Sequence, residues 1–313
     1  MLKIVGRRFL VSLPLVLIVT MLSFFLVLLT PGDPAVVILG MNRTPAEYEA
    51  AREKLGLDLP ALTRYGQWIS DLGTGNLGVS IYNSESVLKI LKDRSGVTFS
   101  LIIVTTIFSS IIGIGLGIAS AIRRGFLART VDFFSLLGMA LPNFWVALVL
   151  VAIFSVSLRL LPAIGYIQPG TSLSGWVKSL VLPVAVLSAP AIGIIAQQTR
   201  SSMLEVLDSP YIRTLRAGGL GRTTLIYRHA LRNAAISIIT VVGLTFVSLL
   251  SGTVIAETVF ALPGLGGLAV QATSRHDLPV IQGLVLYFTV IVIIVNLIVD
   301  IIYAWLNPRI RLS

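Results

Sequence analysis

The chain has 313 residues, of which 55% are hydrophobic and only 12% charged, with a formal net charge of +10 and a mean hydropathy of +0.92. A soluble domain carries roughly a quarter charged residues, so this composition excludes one and defines an integral membrane protein. The basic residues lie in short stretches beside apolar runs, not on one face with stacking aromatics, which makes the charge a matter of topology and excludes nucleic acid as partner. The absence of cysteine excludes thiol chemistry, and the two histidines, His229 and His276, fall in different loops and form no metal-ligand cluster.

Taken in order, Lys3, Arg7 and Arg8 precede an uncharged run over Phe9–Leu29. It exceeds the ~7–15 apolar residues of a signal peptide, and Thr30-Pro31-Gly32-Asp33-Pro34 offers no small-residue cleavage site. It is therefore predicted as a retained first span of the ~20 residues that cross a bilayer. The polar segment 31–96 carries helix signals of its own. Thr44-Pro45-Ala46-Glu47 is a capping box with proline at the first helical position, and Gly56 is placed to close that helix. Leu62, Tyr65, Ile69 and Leu72 follow at helical spacing, and a third helix is predicted over Ser84–Arg94.

Five more apolar runs follow, at about 97–122, 133–155, 180–196, 235–255 and 280–302, each near bilayer length. Gly113 and Gly117 form a GxxxG pair in the second span, with Gly115 between them, a pattern of close helix packing. Pro142 in the third run, with Pro183 and Pro190 in the fourth, can bend helices where neighbours satisfy the freed carbonyls. Basic residues then set the orientation. Lys3, Arg7 and Arg8, Arg123, Arg124 and Arg129, the six arginines of the 200–233 loop, and Arg309 and Arg311 all fall on one side. The short loops of the other side hold only Arg159, Lys178 and Arg275. Both termini and the 200–233 loop are thus predicted to be cytoplasmic, and the 31–96 segment extracytoplasmic.

That loop is the most ordered-looking polar stretch. Asp208 or Ser209 can cap a short helix, and Pro210 suits its first position. Arg213 and Arg216 lie three apart on one side. Gly218-Gly219 can end it through a left-handed residue. A second helical run from about Thr223 carries Arg228 and Arg232 at i,i+4.

Tyr211-Ile-Arg-Thr-Leu-Arg-Ala-Gly-Gly-Leu220, followed by Arg228-His-Ala-Leu-Arg-Asn233, resembles the cytoplasmic coupling loop of binding-protein-dependent ABC importer permeases, in the variant of the dipeptide/oligopeptide/nickel branch. The general pattern is Glu-Ala-Ala, three residues, then Gly. Arg213, Thr214 and Leu215 stand where Glu-Ala-Ala would, and Gly219 stands at the Gly. Pro31-Gly-Asp-Pro34, Leu77-Gly-Val-Ser80, Glu257-Thr-Val-Phe260, Pro263-Gly-Leu-Gly266, Arg275-His-Asp-Leu-Pro279, Asn296, Asp300 with Tyr303, and Asn307-Pro-Arg-Ile-Arg311 extend the resemblance. Ser95-Gly96 stands in place of the family's Leu-Pro, and Asn307 in place of its usual Asp.

The resemblance implies an all-α protein of six transmembrane helices, a type I ABC importer permease with a helical extracytoplasmic segment between spans 1 and 2. It divides the chain at 1–96 and 97–313, with the coupling loop at 199–233. Contact with an ATPase would fall on Tyr211, Arg213, Thr214, Leu215, Arg216, Ala217, Gly218 and Gly219. The implied partners are a second homologous permease, two ABC ATPase subunits and an extracytoplasmic binding protein or lipoprotein. ATP and Mg would sit on the ATPases, leaving this chain without catalytic residues, metal or cofactor. The implied cargo is a di- or oligopeptide, with nickel chelates, glutathione and opine-like solutes open.

No G-x-x-x-x-G-K-[ST] phosphate loop occurs, since none of Lys3, Lys54, Lys89, Lys92 and Lys178 follows a glycine. Polar residues in spans are costly in lipid and so mark candidate pathway positions, here Asn143, Gln197, Thr245, Ser248 and Ser251, with Asn296 and Asp300 read as structural. For the hydroxyls, bonding to their own helix backbone competes with that role. The rival reading is a self-sufficient secondary transporter or channel. Against it stand the absence of a visible internal repeat or paired discontinuous helices, and of a buried carboxylate chain.

Overall fold

The computed structural model describes residues 2–29, 33–40, 42–54, 56–123 and 125–306. Thr30-Pro31-Gly32, Arg124 and the Asn307–Arg311 motif lie outside the described residues, as do the side chains of Lys3, Arg7 and Arg8. The described residues are almost wholly helical, with a single isolated bridge, Val79 to Ser86. Among the described residues two compact units form, one from Leu2–Thr98 with Pro263–Ile294, the other from Phe99–Leu262 with Val295–Leu306.

The first unit begins with α1 (Leu2–Leu28). The polar segment after it folds as three helices. α2 (Pro34–Leu39) starts on Asp33, whose carboxylate accepts the Ala35 N–H at 2.9 Å. Burial pushes the Asp33 carboxyl up, but the hydrogen bonds from Arg52 and Ala35 and the Arg52 charge outweigh it and hold the pKa below the ordinary value. α3 (Pro45–Lys54) has the expected capping box: Glu47 Oε2 accepts the Thr44 N–H at 2.8 Å and the Thr44 hydroxyl at 2.9 Å. Gly56 follows at φ +64°.

α4 (Ala61–Gly73) meets α1 through Tyr65, whose hydroxyl lies 3.0 Å from Thr20 Oγ1 and whose ring sits 5.5 Å from Phe24. Its buried residue is Trp68, whereas Leu62 is 65% exposed. The inward face is therefore set by the aromatics, not by every apolar residue at helical spacing. The helix expected over Ser84–Arg94 is not separate. It is the start of α5 (Val87–Ile122), 36 residues long, through which Ser95-Gly96 pass without a break. A core of Leu77, Val87, Leu91, Leu265, Leu268 and Leu284 holds this unit, together with α12 (Leu265–Ser274) and the first turns of α13 (Leu278–Leu306). Asp277, buried, accepts from the Ser80 hydroxyl and from the Ile81 N–H, and Arg275 stacks over Tyr82 at 4.0 Å.

In the second unit the third apolar run is broken. α6 (Phe126–Ala140) and α7 (Asn143–Leu150), the latter continuing as a π-helical turn over Val151–Ser157, meet at 99°. Pro142 has no N–H and restricts Leu141 to an extended ψ of 131°, so the helix stops and restarts there. Pro183 and Pro190, by contrast, stay inside the continuous α8 (Leu173–Leu207). Small residues let the helices close up. A Cβ on Gly117 would lie 2.5 Å from Thr199, and one on Gly138 would lie 2.7 Å from the Ala189 carbonyl. Gly113 meets Ile195 in the same way, so the GxxxG pair packs α5 on α8. Counting the bent pair as one span, six helical segments among the described residues are long and apolar enough to cross a membrane.

Candidate functional site

Between α8 and the last long helix of this unit the chain makes a compact polar turn. α9 (Pro210–Ala217) starts on Ser209 and has Pro210 at its first position. Ser209 does not cap with its side chain. Its hydroxyl donates instead to the Val206 carbonyl at 2.6 Å, so proline and backbone geometry alone start the helix. The C-terminus is a Schellman turn: the Gly219 N–H donates to Arg216 at 3.1 Å and the Leu220 N–H to Leu215 at 3.3 Å. Gly219 supplies the left-handed residue at φ +83°, while Gly218 is ordinary at −72°.

α9 is seated by residues that its basic face does not advertise. Ile212 is fully buried against Met203, Ile226 and Ala230, and Leu215 packs half-buried on the same cluster. Arg213, Thr214, Arg216, Ala217, Gly218 and Gly219 are left exposed on the outer side. Ile212 and Met203 were missed as site residues. The signal for them was the Ile212/Leu215 pair at i,i+3, opposite the arginines.

After the turn, α10 (Arg222–Thr224) passes through a π-helical turn over Leu225–Ala230 into α11 (Leu231–Val259). Two clefts flank α9. One, of about 500 Å³, is lined by Arg213, Arg216, Arg222 and Asp208 over an apolar floor of Leu204 and Ile226. Arg222 also donates to the Ile122 carbonyl at 3.3 Å, placing a cation at the C-terminus of α5, where the helix dipole favours it. The other, of about 740 Å³, is lined by Glu205, Tyr211, Arg228, His229 and Arg232. There the Tyr211 hydroxyl lies 3.1 Å from His229 Nδ1 and accepts from Asn233 at 3.4 Å. Two arginine-bearing depressions beside a rigid helix can receive carboxylates of a protein partner by charge-assisted hydrogen bonds.

The five polar span residues do not form one cluster. Asn143 is half-buried, at the restart of the helix after the 99° break. Gln197 on α8 and Ser248 and Ser251 on α11 are exposed, the last two one turn apart. Thr245 is buried, with its hydroxyl on the Val241 carbonyl at 2.7 Å. Sequence reasoning passed over Thr105, Ser109 and Ser188, whose buried hydroxyls have no partner among the described residues. The repeated hydroxyls at i,i+4 on α5 were the legible sign.

The described residues thus give the helices of a multi-pass membrane protein, with a broken third span and a short basic helix held between two long ones. Its fold matches a chain of the methionine ABC transporter MetNI, solved in inward-facing form, with a TM-score of 0.59 at 18% identity, covering 70% of this chain and 97% of that one. Residues 113–312 match the family of binding-protein-dependent transport system inner membrane components, and residues 1–102 match that family's N-terminal model. The chain belongs to this family. It is 40% identical over 312 residues to a putative peptide transport system permease protein of Brucella abortus, with 99% of each chain covered. It is 38% identical to the dipeptide transport system permease protein DppB of Alkalihalophilus pseudofirmus and to the di/tripeptide transport system permease protein DppB of Pseudomonas aeruginosa, over at least 99% of each chain. Membership in a binding-protein-dependent system sets aside the self-sufficient secondary transporter or channel.

Proposed function

We propose that this chain is the permease subunit of an ATP-driven ABC importer for di- and oligopeptides, and that α9 receives the motion of a partner ATPase. The observation that carries the second part is the seating of α9. Ile212 and Leu215 fix it to the bundle while Arg213, Thr214, Arg216 and Ala217 face outward. A helix fixed at both ends and along one side passes a push on to α8 and α11, whereas a loose loop would absorb it. The peptide cargo is supported by the names of full-length relatives. Lacking a phosphate loop, the chain would leave ATP and Mg to two ATPase subunits.

The loop charges support a cytoplasmic α9 and termini, with residues 33–86 facing the binding protein. Exposed Gln197 and Ser248 would be costly against lipid, which supports a second permease covering them and a pathway running beside them and Ser251, whose hydroxyl donates to the Ser248 carbonyl at 2.9 Å. Asn143, at the break in the third span, would join that wall. Thr245 would shape it by packing, its hydroxyl already being bonded to its own helix.

Cysteine at Thr214 is expected to cross-link to an ATPase subunit, with a yield that changes when ATP is trapped. Arg216→Glu should lower transport and substrate-stimulated ATP hydrolysis about tenfold, equivalent to roughly 1.4 kcal/mol of lost contact. The binding protein's affinity for peptide should be untouched. Normal transport by both Arg216→Glu and a Gly-Ser replacement of residues 211–217 would reduce α9 to a topological anchor.

A further inference from the structure

The last turns of α8, just ahead of α9, meet three other helices. Thr199 lies against α5 where Gly117 leaves room, and Met203 forms part of the buried seat of Ile212 on α9. Between these two in sequence, Arg200 reaches α6. Its Nη1 donates to both carboxylate oxygens of Asp132, at 3.2 and 3.0 Å. Thr199 and Met203 make close packing contacts, whereas the link to α6 is a charge-assisted pair.

Composition makes that pair specific. Asp132 is the only carboxylate between Asp93 and Glu205, a stretch that holds the second, third and fourth apolar runs. Adhesion of the two helices does not account for it. α6 and α8 already meet backbone to side chain at the glycines, and a Cβ on Gly193 would lie 2.7 Å from the Ser135 carbonyl. The pair is also 32% and 39% exposed, and ion pairs so open to water add little to stability. What it can fix is an angle. Arg200 stands two turns beyond Gly193, about 10 Å along the helix axis and on the side of α9. With the glycine contacts as pivot, the end of α8 could swing and leave α6 behind unless something holds the two together at that distance. From Asp132, α6 runs on to the 99° break at Pro142.

We propose that Asp132 and Arg200 are positioning residues for energy coupling, their ion pair making α6, and with it the break in the third span, follow α9 and the end of α8. This rests on the assignment of α9 as the element that receives the ATPase motion.

The test is made on the assembled importer in nanodiscs, with partner subunits free of reactive cysteine. Spin labels at Phe126→Cys, exposed at the start of α6, and Thr214→Cys, exposed on α9, report the distance between the two helices by pulsed electron paramagnetic resonance. With the ion pair intact, that distance should be the same before and after ATP is trapped. In Asp132→Asn and in Arg200→Gln it should shift on trapping. Peptide transported per ATP hydrolysed should then fall about tenfold, while hydrolysis without substrate persists. Asp132→Glu, which keeps the charge, should couple as the native chain does, and Asp132→Arg combined with Arg200→Asp should recover coupling over either neutral variant. Native coupling and an unchanging distance in both neutral variants, in complexes that elute alike, would overturn the proposal. Cross-linking of Thr214→Cys to the ATPase separates this from the assignment of α9. Cross-linking retained in the neutral variants with coupling lost supports the link to α6. Cross-linking lost only in those variants would mean that the pair positions α9 itself, and would overturn it. No cross-linking with the pair intact would remove α9 as the contact and the link with it.

Discussion

At the scale of single residues, the two glycines that end α9 are not equivalent. Gly219 sits at φ +83° with open space where a Cβ would be, whereas Gly218 has φ −72° and only ordinary contacts at 3.4 and 3.6 Å. Any penalty at Gly219 is therefore purely conformational. A β-branched residue there is expected to cost roughly 1–2 kcal/mol by leaving the left-handed region unfavoured, while Gly218→Ala should be nearly neutral. Limited proteolysis across 215–222 and substrate-stimulated ATP hydrolysis in the assembled importer check this. Gly219→Val should cleave faster and couple less well. Equal behaviour of the two variants would mean that the Schellman turn does not hold the helix end.

At the scale of elements, α9 is too short to be stable alone, since helices under ~12 residues are marginal in water. Its order comes from burial of Ile212, which is 0% exposed. Truncating such a side chain in a packed core costs about 2–5 kcal/mol. Ile212→Ala is accordingly expected to raise hydrogen–deuterium exchange over 209–219 by at least tenfold while leaving α8 and the rest of α11 protected. Thr214→Ala, which removes only an exposed hydroxyl bonded to Pro210, should not. Unchanged exchange in Ile212→Ala would show that the arginine contacts, not the apolar seat, order the helix. The 99° break at Pro142 belongs to this scale as well. Pro183 and Pro190 sit in α8 with no comparable break, and there Gly138 and Gly193 allow α6 to pack against backbone. The same residue type thus bends one span and not the other, according to what its neighbours hold in place.

At the scale of the whole molecule, the topology rests on loop charge and is open to direct measurement. Glu49 is exposed on α3 and Thr214 is exposed on α9. With no native cysteine to interfere, single cysteines at these positions should label from opposite sides. Glu49→Cys should react with a membrane-impermeant maleimide added to intact cells, and Thr214→Cys only after permeabilisation. The reverse pattern would invert the positive-inside reading and, with it, the assignment of α9 to the ATPase side.

The sequence by itself determined the membrane class, the six apolar runs, the capping box at Thr44 and Glu47, and the glycine end of α9. All of these rest on local chemistry: a run of apolar side chains, a hydroxyl three residues from a carboxylate, a residue that tolerates positive φ. Tertiary structure decided what depends on neighbours distant in sequence. It made residues 87–122 one helix that runs through Gly96, and turned Leu62 outward while Trp68 went in. It seated α9 on Met203 and Ile226, and it brought Asp132 of α6 to Arg200 of α8. No periodicity can report that last pairing, because the two lie 68 residues apart and meet only when the chain folds back on itself.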